Sequence, residues 1–232
     1  MGAPLGTAGT ARFAWASWDV RRGAPLPGPR DADAFVITGS SASVTERAPW
    51  MLRAEELVRQ IACARVPMLG ICFGHQLMAQ ALGGDVRRNP RGREIGTVRV
   101  ERLGDDPLFQ GLPRSFEVNA THVDAVVQPP PGAVVLATTS LDPCSAFRIG
   151  DRLRGVQFHP EFDADVMRGY LRARADILRS EGLDPDGLLA RVQAVQGQTR
   201  GADILRNYAG MLRPLRPARG RSHRAISTES RH

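Results

Sequence analysis

Residues 69–76, Leu-Gly-Ile-Cys-Phe-Gly-His-Gln, constrain the fold of this chain more than any other stretch. They place Cys72 between two glycines, where an apolar run that begins at Val66 gives way to a helical pattern. A strand that turns so sharply into a helix pushes the turn residue out of the sheet, and the flanking glycines relieve the crowding. The sequence therefore predicts a nucleophile elbow, in which the amino terminus of the helix favours the reactive thiolate.

A second motif, Gly-Val-Gln-Phe-His-Pro-Glu at residues 155–161, supplies the partners that such a cysteine needs. Pro160 keeps His159 in the extended region, and an extended chain projects residues two apart toward the same side. Glu161 is therefore placed to orient the imidazole of His159. The two motifs together contain a nucleophile, a base and an orienting acid.

These motifs resemble those of the class I glutamine amidotransferases, which carry a G-x-C-x-G-x-Q elbow and, near the far end of the domain, His-Pro-Glu. The resemblance covers residues 18–180 and is strongest to stand-alone proteins similar to the amidotransferase domain of GMP synthase, which have Ile-Thr-Gly-Ser at the place of residues 37–40. Other matching segments follow in the family's order: residues 36–40, 94–96, 107–113 and 121–124.

The resemblance implies that Cys72 attacks the side-chain amide carbon of glutamine, that His159 takes and returns the proton, and that Glu161 holds the imidazole ring. The thioester is then hydrolysed, and the ammonia passes to an acceptor. Two backbone N–H groups are needed for the oxyanion. Elbow geometry gives Phe73 as the first, and the family places the second at Gly39 or Ser40.

The resemblance also implies substrate contacts. Gln76 matches the glutamine-contacting position, although as a lone polar helix residue it would be ordinary. His122 and Asp124 match a loop near the amino-acid end of the substrate, and an exposed turn would explain them almost as well. We interpret His75 as structural, and we expect no cofactor and no metal.

Two other functions use the same residues. One is a γ-glutamyl peptidase or hydrolase, which shares the acyl half of the reaction and differs only in the leaving group. The other is a non-catalytic binding protein of the same fold, which the intact Cys72, His159 and Glu161 argue against.

The composition is that of one enzyme domain with a basic tail. The chain has 232 residues, 42% of them hydrophobic, which is enough for one core and too few for a second catalytic domain. Any acceptor enzyme is then a separate partner chain, a synthase. Of the net charge of +7, residues 213–232 supply +5, from six arginines and one glutamate. We therefore expect a domain at residues 12–212 and a disordered tail at 213–232, with no specific nucleic-acid partner.

The three cysteines, Cys63, Cys72 and Cys144, have no paired spacing, and no Cys/His cluster has the spacing of metal ligands. The sequence thus indicates neither a disulfide framework nor a zinc site. It also shows no leader peptide and no segment of membrane-spanning length, so we expect a cytoplasmic protein without a membrane partner.

Strand and helix patterns alternate around the elbow, and several strand patterns follow one another between residues 97 and 159. They predict an α/β fold with a mixed, mostly parallel sheet and helices on both faces, the flavodoxin-like fold of class I glutamine amidotransferases. Members of that family begin with a strand and a long helix that Met1–Ala11 cannot replace, so we expect the N-terminal strand to be missing and the coding region to extend upstream. The predicted strands are Phe13–Val20, Ala34–Thr38, Val66–Ile71, Thr97–Glu101, Ser115–Val118, Val134–Thr138, Ser145–Ile149 and Leu153–His159; the predicted helices follow Pro49 and Gly74 and cover residues 163–180 and 183–212.

Overall fold

The computed structural model describes residues 13–23 and 25–212, which form a seven-stranded sheet, a separate two-stranded sheet and six α-helices. The strands are β1 (Phe35–Ile37), β2 (Met68–Ile71), β3 (Asp85–Arg88), β4 (Glu94–Arg102), β5 (Ser115–His122), β6 (Asp124–Gln128), β7 (Ala133–Thr138), β8 (Ala146–Ile149) and β9 (Leu153–Val156). The helices are α1 (Pro49–Cys63), α2 (Phe73–Ala81), α3 (Ala164–Ala173), α4 (Ala175–Ser180), α5 (Pro185–Ala194) and α6 (Gly201–Leu212).

The large sheet is mixed, in the order β1-β2-β9-β8-β7-β4-β5. Strands β1, β2 and β9 run parallel to one another, and the remaining four pairings are antiparallel. The predicted α/β fold with a mixed sheet is confirmed, but the sheet is not mostly parallel, since only two of its six pairings are parallel. Parallel pairing is limited to the end that carries the elbow, because β7, β8 and β9 follow one another through short connections that reverse the chain.

Helices cover both faces of this sheet, as predicted. Successive residues of β2 point to opposite faces, so Met68 packs with α1 and α2 while Leu69 packs with α6. A third cluster joins α3, α4 and α5 to Ile95 of β4. Strand β2 is thus buried on both sides, which holds its carboxyl end in a fixed position.

Helix α1 follows the predicted pattern. It begins at Pro49, whose fixed φ and missing N–H suit the first helical position, and it buries Met51, Val58 and Ile61 on one face. The chain leaves the helix through Arg65, which has a left-handed φ of 55°.

Some predictions are wrong or fall elsewhere. Residues 13–20 contain no strand, and Trp15 among them is 72% exposed. Strands β3 and β6 were not predicted, and they pair only with each other. The predicted helix over 163–180 is divided at Arg174, whereas the one over 183–212 is interrupted between α5 and α6 as expected. The predictions for Met1–Ala11 and for the tail at 213–232 lie outside the described residues.

Within the described residues, none of the helices has both the length and the apolar character that a membrane crossing requires.

Candidate active site

Cys72 lies at the junction of β2 and α2 in a backbone conformation that residues other than glycine rarely adopt, with φ 49° and ψ −104°. Both of its neighbouring elements hold it there. Its N–H donates to the Val156 carbonyl over 2.8 Å, extending the pairing of β2 with β9, and its carbonyl accepts the Gln76 N–H over 3.0 Å, starting α2. The side chain makes no capping bond to the helix. The strained turn therefore presents the sulfur as a nucleophile elbow does.

The two flanking glycines are required by close backbone contacts. A Cβ atom at Gly70 would lie 2.5 Å from the carbonyl oxygen of Gly74, and a Cβ atom at Gly74 would collide with the carbonyl group of Ile37 in β1. Any side chain at either position would push α2 away from the sheet. The interpretation of these glycines as part of the elbow thus has a steric basis.

His159 follows the end of β9 and is fixed on several sides. Its N–H donates to the Asn119 carbonyl over 2.8 Å, and its ring stacks on Phe162 with centroids 4.2 Å apart. The imidazole Nδ1 lies 2.7 Å from Glu161 Oε1. Because the carboxylate accepts the Nδ1 proton, the ring presents Nε2 on its other side.

The structure brings Cys72 and His159 together. Burial lowers the pKa of His159, but its interactions with Cys72 and Glu161 outweigh that effect and raise the pKa to about 9. The Cys72 thiol itself donates to the Thr121 carbonyl over 3.7 Å. Cys72 and His159 are both 6% exposed. The meeting follows from the sheet, because Ile71 and Val156 are parallel register partners and the two chain segments leave the same edge. This arrangement can carry out nucleophilic attack with transfer of a proton.

The loop after β1 lies against both groups. A Cβ atom at Gly39 would lie 2.7 Å from His159 Cε1 and 3.7 Å from Cys72 Cβ, so only glycine leaves room for the imidazole. Among the described residues, none accepts a hydrogen bond from the backbone N–H of Gly39, Ser40 or Phe73. Phe73 is the first residue of α2, where N–H groups lack helical partners. The three candidate oxyanion donors are therefore free to bind an anion.

A residue that the sequence interpretation missed, Gln157, lies between the predicted groups. Its Nε2 donates to Cys72 Sγ over 3.6 Å, and its Oε1 accepts from Gln76 Nε2 over 3.0 Å. Gln76 Nε2 also donates to the Asp124 carbonyl over 2.9 Å. Gln76 thus supports the nucleophile from within the protein, and its contact with substrate stays a prediction. The position of Gln157, two residues before His159, was the signal that could have identified it.

His122 and Asp124 have internal partners. The His122 Nδ1 lies 2.9 Å from the Asp124 carbonyl, and Nε2 lies 2.9 Å from Glu94 Oε2, so both ring nitrogens are used. The Asp124 carboxylate accepts a hydrogen bond from Ser43. These contacts assign both residues an organising position beside the site, and their role in substrate binding stays a prediction.

His75 is fully buried, and its ring packs against Phe147 with centroids 4.7 Å apart. Burial lowers its pKa to about 3, so the ring is neutral. A Cβ atom at Gly155 would lie 2.6 Å from its Nδ1, which explains the glycine in β9. These contacts support the structural role inferred for His75.

Comparison with known proteins identifies related sequences. The model of the family "Glutamine amidotransferase class-I" matches residues 24–174. A glutamine-hydrolyzing GMP synthase from Aeropyrum pernix is 43% identical over 130 residues, which are 56% of this chain and 24% of that protein. This chain thus spans about a quarter of the length of that relative. A shorter relative, one subunit of the glutamine-hydrolyzing GMP synthase of Saccharolobus solfataricus, is 38% identical over 132 residues, which are 56% of this chain and 67% of that one.

Solved structures agree with the sequence comparison. A glutamine amidotransferase from Thermotoga maritima has a TM-score of 0.71 and 28% identity, with 84% of each chain covered. A glutamine amido transferase from Methylobacillus flagellatus has a TM-score of 0.61 and the same identity, covering 84% of this chain and 77% of that one.

Proposed function

The chain belongs to the class I glutamine amidotransferases, and on that basis we propose that it hydrolyses the side-chain amide of glutamine through a cysteine thioester and releases ammonia for an acceptor. The observation that carries the proposal is that the side chains of Cys72 and His159 converge on Gly39, where a Cβ atom would lie 3.7 Å from Cys72 Cβ and 2.7 Å from His159 Cε1, while Glu161 lies 2.7 Å from the imidazole Nδ1. The proposed steps use protein groups, the substrate and water.

In the first step Cys72 Sγ attacks the amide carbon of glutamine, and the thiol proton resides on His159. The raised pKa of His159 favours the imidazolium, and the bond to Glu161 stabilises its charge. Since Glu161 takes the Nδ1 side, the proton for the leaving group is on Nε2. The imidazolium gives this proton to the departing ammonia, and the carbon–nitrogen bond breaks.

The tetrahedral intermediate carries a negative oxygen that needs donors already in place. The N–H of Phe73 and an N–H from Gly39 or Ser40 fit this role, because Phe73 follows Cys72 directly, Gly39 lies against Cys72, and none of the three N–H groups has an acceptor among the described residues. Each such donor is worth about 3 kcal/mol in comparable sites. Water activated by His159 then cleaves the thioester, and glutamate leaves.

The acceptor of the ammonia is the second part of the proposal. The relative from Saccharolobus solfataricus is one subunit of a glutamine-hydrolyzing GMP synthase, and this chain covers 67% of it. We infer that this protein likewise works with a separate synthase chain that uses the ammonia. The γ-glutamyl peptidase alternative has weaker support, because its relative, the gamma-glutamyl peptidase 4 of Arabidopsis thaliana, is 30% identical over 56% of its length.

The test is turnover by the purified full chain of glutamine and, separately, of γ-glutamyl dipeptides, following ammonia, glutamate and released amino acid. We expect ammonia and glutamate in equal amounts from glutamine, and no ammonia after Cys72→Ser. The matched control is Cys63→Ser, because Cys63 is an exposed free cysteine away from the site. Preferred turnover of dipeptides would contradict the proposal. Absence of both activities, with no γ-glutamyl group trapped on Cys72 by acid quench, would favour a binding role.

A further inference from the structure

Three buried polar side chains lie next to the catalytic cluster and carry out none of the bond-making or proton-transfer steps proposed above. Glu94 begins β4, His122 ends β5, and Asp142 lies in the connection from β7 to β8. They are 3%, 5% and 0% exposed. Glu94 and His122 are direct register partners across β4 and β5. One nitrogen or oxygen atom from each of the three lies within 4.8 Å of the others.

In each of these three side chains, one polar atom already has a hydrogen-bond partner outside the cluster. The Asp124 carbonyl accepts from His122 Nδ1 over 2.9 Å, Thr139 donates to Glu94 Oε1 over 2.6 Å, and the Cys144 N–H donates to Asp142 Oδ1 over 2.9 Å. The inward atoms are then His122 Nε2, Glu94 Oε2 and Asp142 Oδ2. Protein metal ligands are usually oriented in this way, with outer hydrogen bonds that fix the tautomer of the histidine and the direction of each carboxylate.

One of the inward atoms lacks a partner. Asp142 Oδ2 is fully buried and accepts no hydrogen bond from any of the residues that the structure describes. Buried carboxylate oxygens are ordinarily paired with donors or bound to metals, because leaving them bare is costly. The unpaired oxygen of Asp142 therefore indicates a bound ligand that does not belong to the chain.

The net charge of the three side chains also favours a bound cation. Two carboxylates and a neutral imidazole carry a charge of −2, which a divalent cation cancels. A proton on His122 is the competing occupant, since it would be shared between Nε2 and Glu94 Oε2, which lie 2.9 Å apart. That proton leaves the cluster at −1, and Asp142 Oδ2 still lacks a donor.

We propose that Glu94, His122 and Asp142 form a binding site for one divalent metal ion, for which zinc is the best fit. Zinc binds both imidazole nitrogen and carboxylate oxygen, and three such ligands leave the fourth tetrahedral position for water. Magnesium and manganese prefer about six mainly oxygen ligands, more than this buried set supplies. A surface depression lined by Glu94, Thr139 and Leu141 lies beside the cluster.

The ion would act at a distance from the reaction, by positioning. It fixes His122, whose Nδ1–H holds the Asp124 carbonyl, and the same carbonyl holds Gln76. From Gln76 the hydrogen bonds continue to Gln157 and to Cys72 Sγ. An ion at this site would therefore couple the orientation of Cys72 to the start of β4 and the end of β5.

The experiment measures metal binding by the full chain without reference to its activity. The protein is purified without chelators, its metals are quantified by mass spectrometry, and the chelator-treated form is titrated with Zn²⁺ by calorimetry and followed in thermal unfolding. We expect one Zn²⁺ per chain and a higher Tm. We expect Asp142→Asn to weaken binding by about 100-fold or more. The exposed Asp176→Asn is the matched control and should bind as the wild type does.

Two further measurements keep the result decisive. Cys72 and His159 are themselves able to bind zinc, so the titration is repeated in Cys72→Ala, which should still bind one ion. If Asp142→Asn does not fold, the visible spectrum of Co²⁺ in the chelator-treated wild type shows whether nitrogen and oxygen ligands bind it. Failure of the wild type to bind Zn²⁺ would overturn the site, as would equal affinity in Asp142→Asn. A doubly protonated His122 ring in NMR spectra at saturating Zn²⁺ would assign the cluster to the proton instead.

Discussion

Replacing Gly39 with alanine adds one methyl group to the catalytic cluster and removes no hydrogen-bonding group. The backbone of Gly39 is not in the left-handed region, so the substitution causes no backbone strain. The new Cβ atom would lie 2.7 Å from His159 Cε1. Carbon atoms pack best at separations of about 3.5–4.0 Å, so the imidazole has to move away by about 1 Å.

A displacement of that size has a large effect on the reaction rate and a small effect on the stability of the fold. A shift of about 1 Å in a catalytic group costs about 100-fold in rate. At about 1.36 kcal/mol for each tenfold, this is about 2.7 kcal/mol of transition-state stabilisation. We therefore expect kcat/KM for glutamine to fall about 100-fold, while the N–H of residue 39 stays available for the oxyanion.

The assay is steady-state ammonia release, normalised to the folded fraction from thermal unfolding. The matched control is Gly104→Ala, because a Cβ atom at Gly104 meets nothing within 4 Å. The rate of alkylation of Cys72 gives a second readout, since a displaced imidazole no longer stabilises the thiolate. A folded Gly39→Ala protein with kcat/KM within about threefold of the wild type would refute this account of the site.

Three other substitutions test the site and the fold. Glu161→Gln removes a carboxylate that raises the pKa of His159; because the imidazolium is lost as pH rises through about 9, the alkaline fall of kcat/KM should move to lower pH in a pH series. Gly74→Ala places a Cβ atom against the backbone of β1 and should lower the free energy of unfolding by about 3 kcal/mol in denaturant titrations. Arg154→Met leaves the buried carboxylate of Asp106 without its bidentate partner, at 2.7 and 3.1 Å, and should lower the same quantity by about 3 kcal/mol.

Controls for the two stability changes come from exposed sites. Gly169→Ala in α3 adds a Cβ atom that meets nothing within 4 Å, and it should leave the unfolding midpoint unchanged or raised. Arg65→Met removes an ion pair with Asp151 whose side chains are 76% and 71% exposed, and it should have little effect. Unfolding midpoints for Gly74→Ala or Arg154→Met equal to these controls would contradict the packing of these two residues. For Glu161→Gln, the contradicting result is an unchanged pH profile.

Features whose cause lies within a few neighbouring residues could be predicted from the sequence without coordinates. Glycines on either side of Cys72 predicted the elbow, because only they permit the close crossing of α2 over the sheet. The dipeptide after His159 predicted its bond to Glu161, since both groups extend from the same side of an extended chain. Helix α1 could be predicted from the helical spacing of its apolar residues and from Pro49 at its start. The resemblance of the ordered motifs then indicated the family.

Only the tertiary structure determines which distant segments of the chain lie next to each other. Cys72 and His159 are adjacent because β2 and β9 pair in parallel. The sequence of neither strand determines which strand it pairs with. For the same reason β3 and β6 were not predicted, since these short strands pair only with each other. The cluster of Glu94, His122 and Asp142 comes from three separate segments whose spacing in the chain has no metal-binding pattern. Local chemistry is encoded in contiguous residues, whereas the convergence of these side chains is a property of the packed sheet.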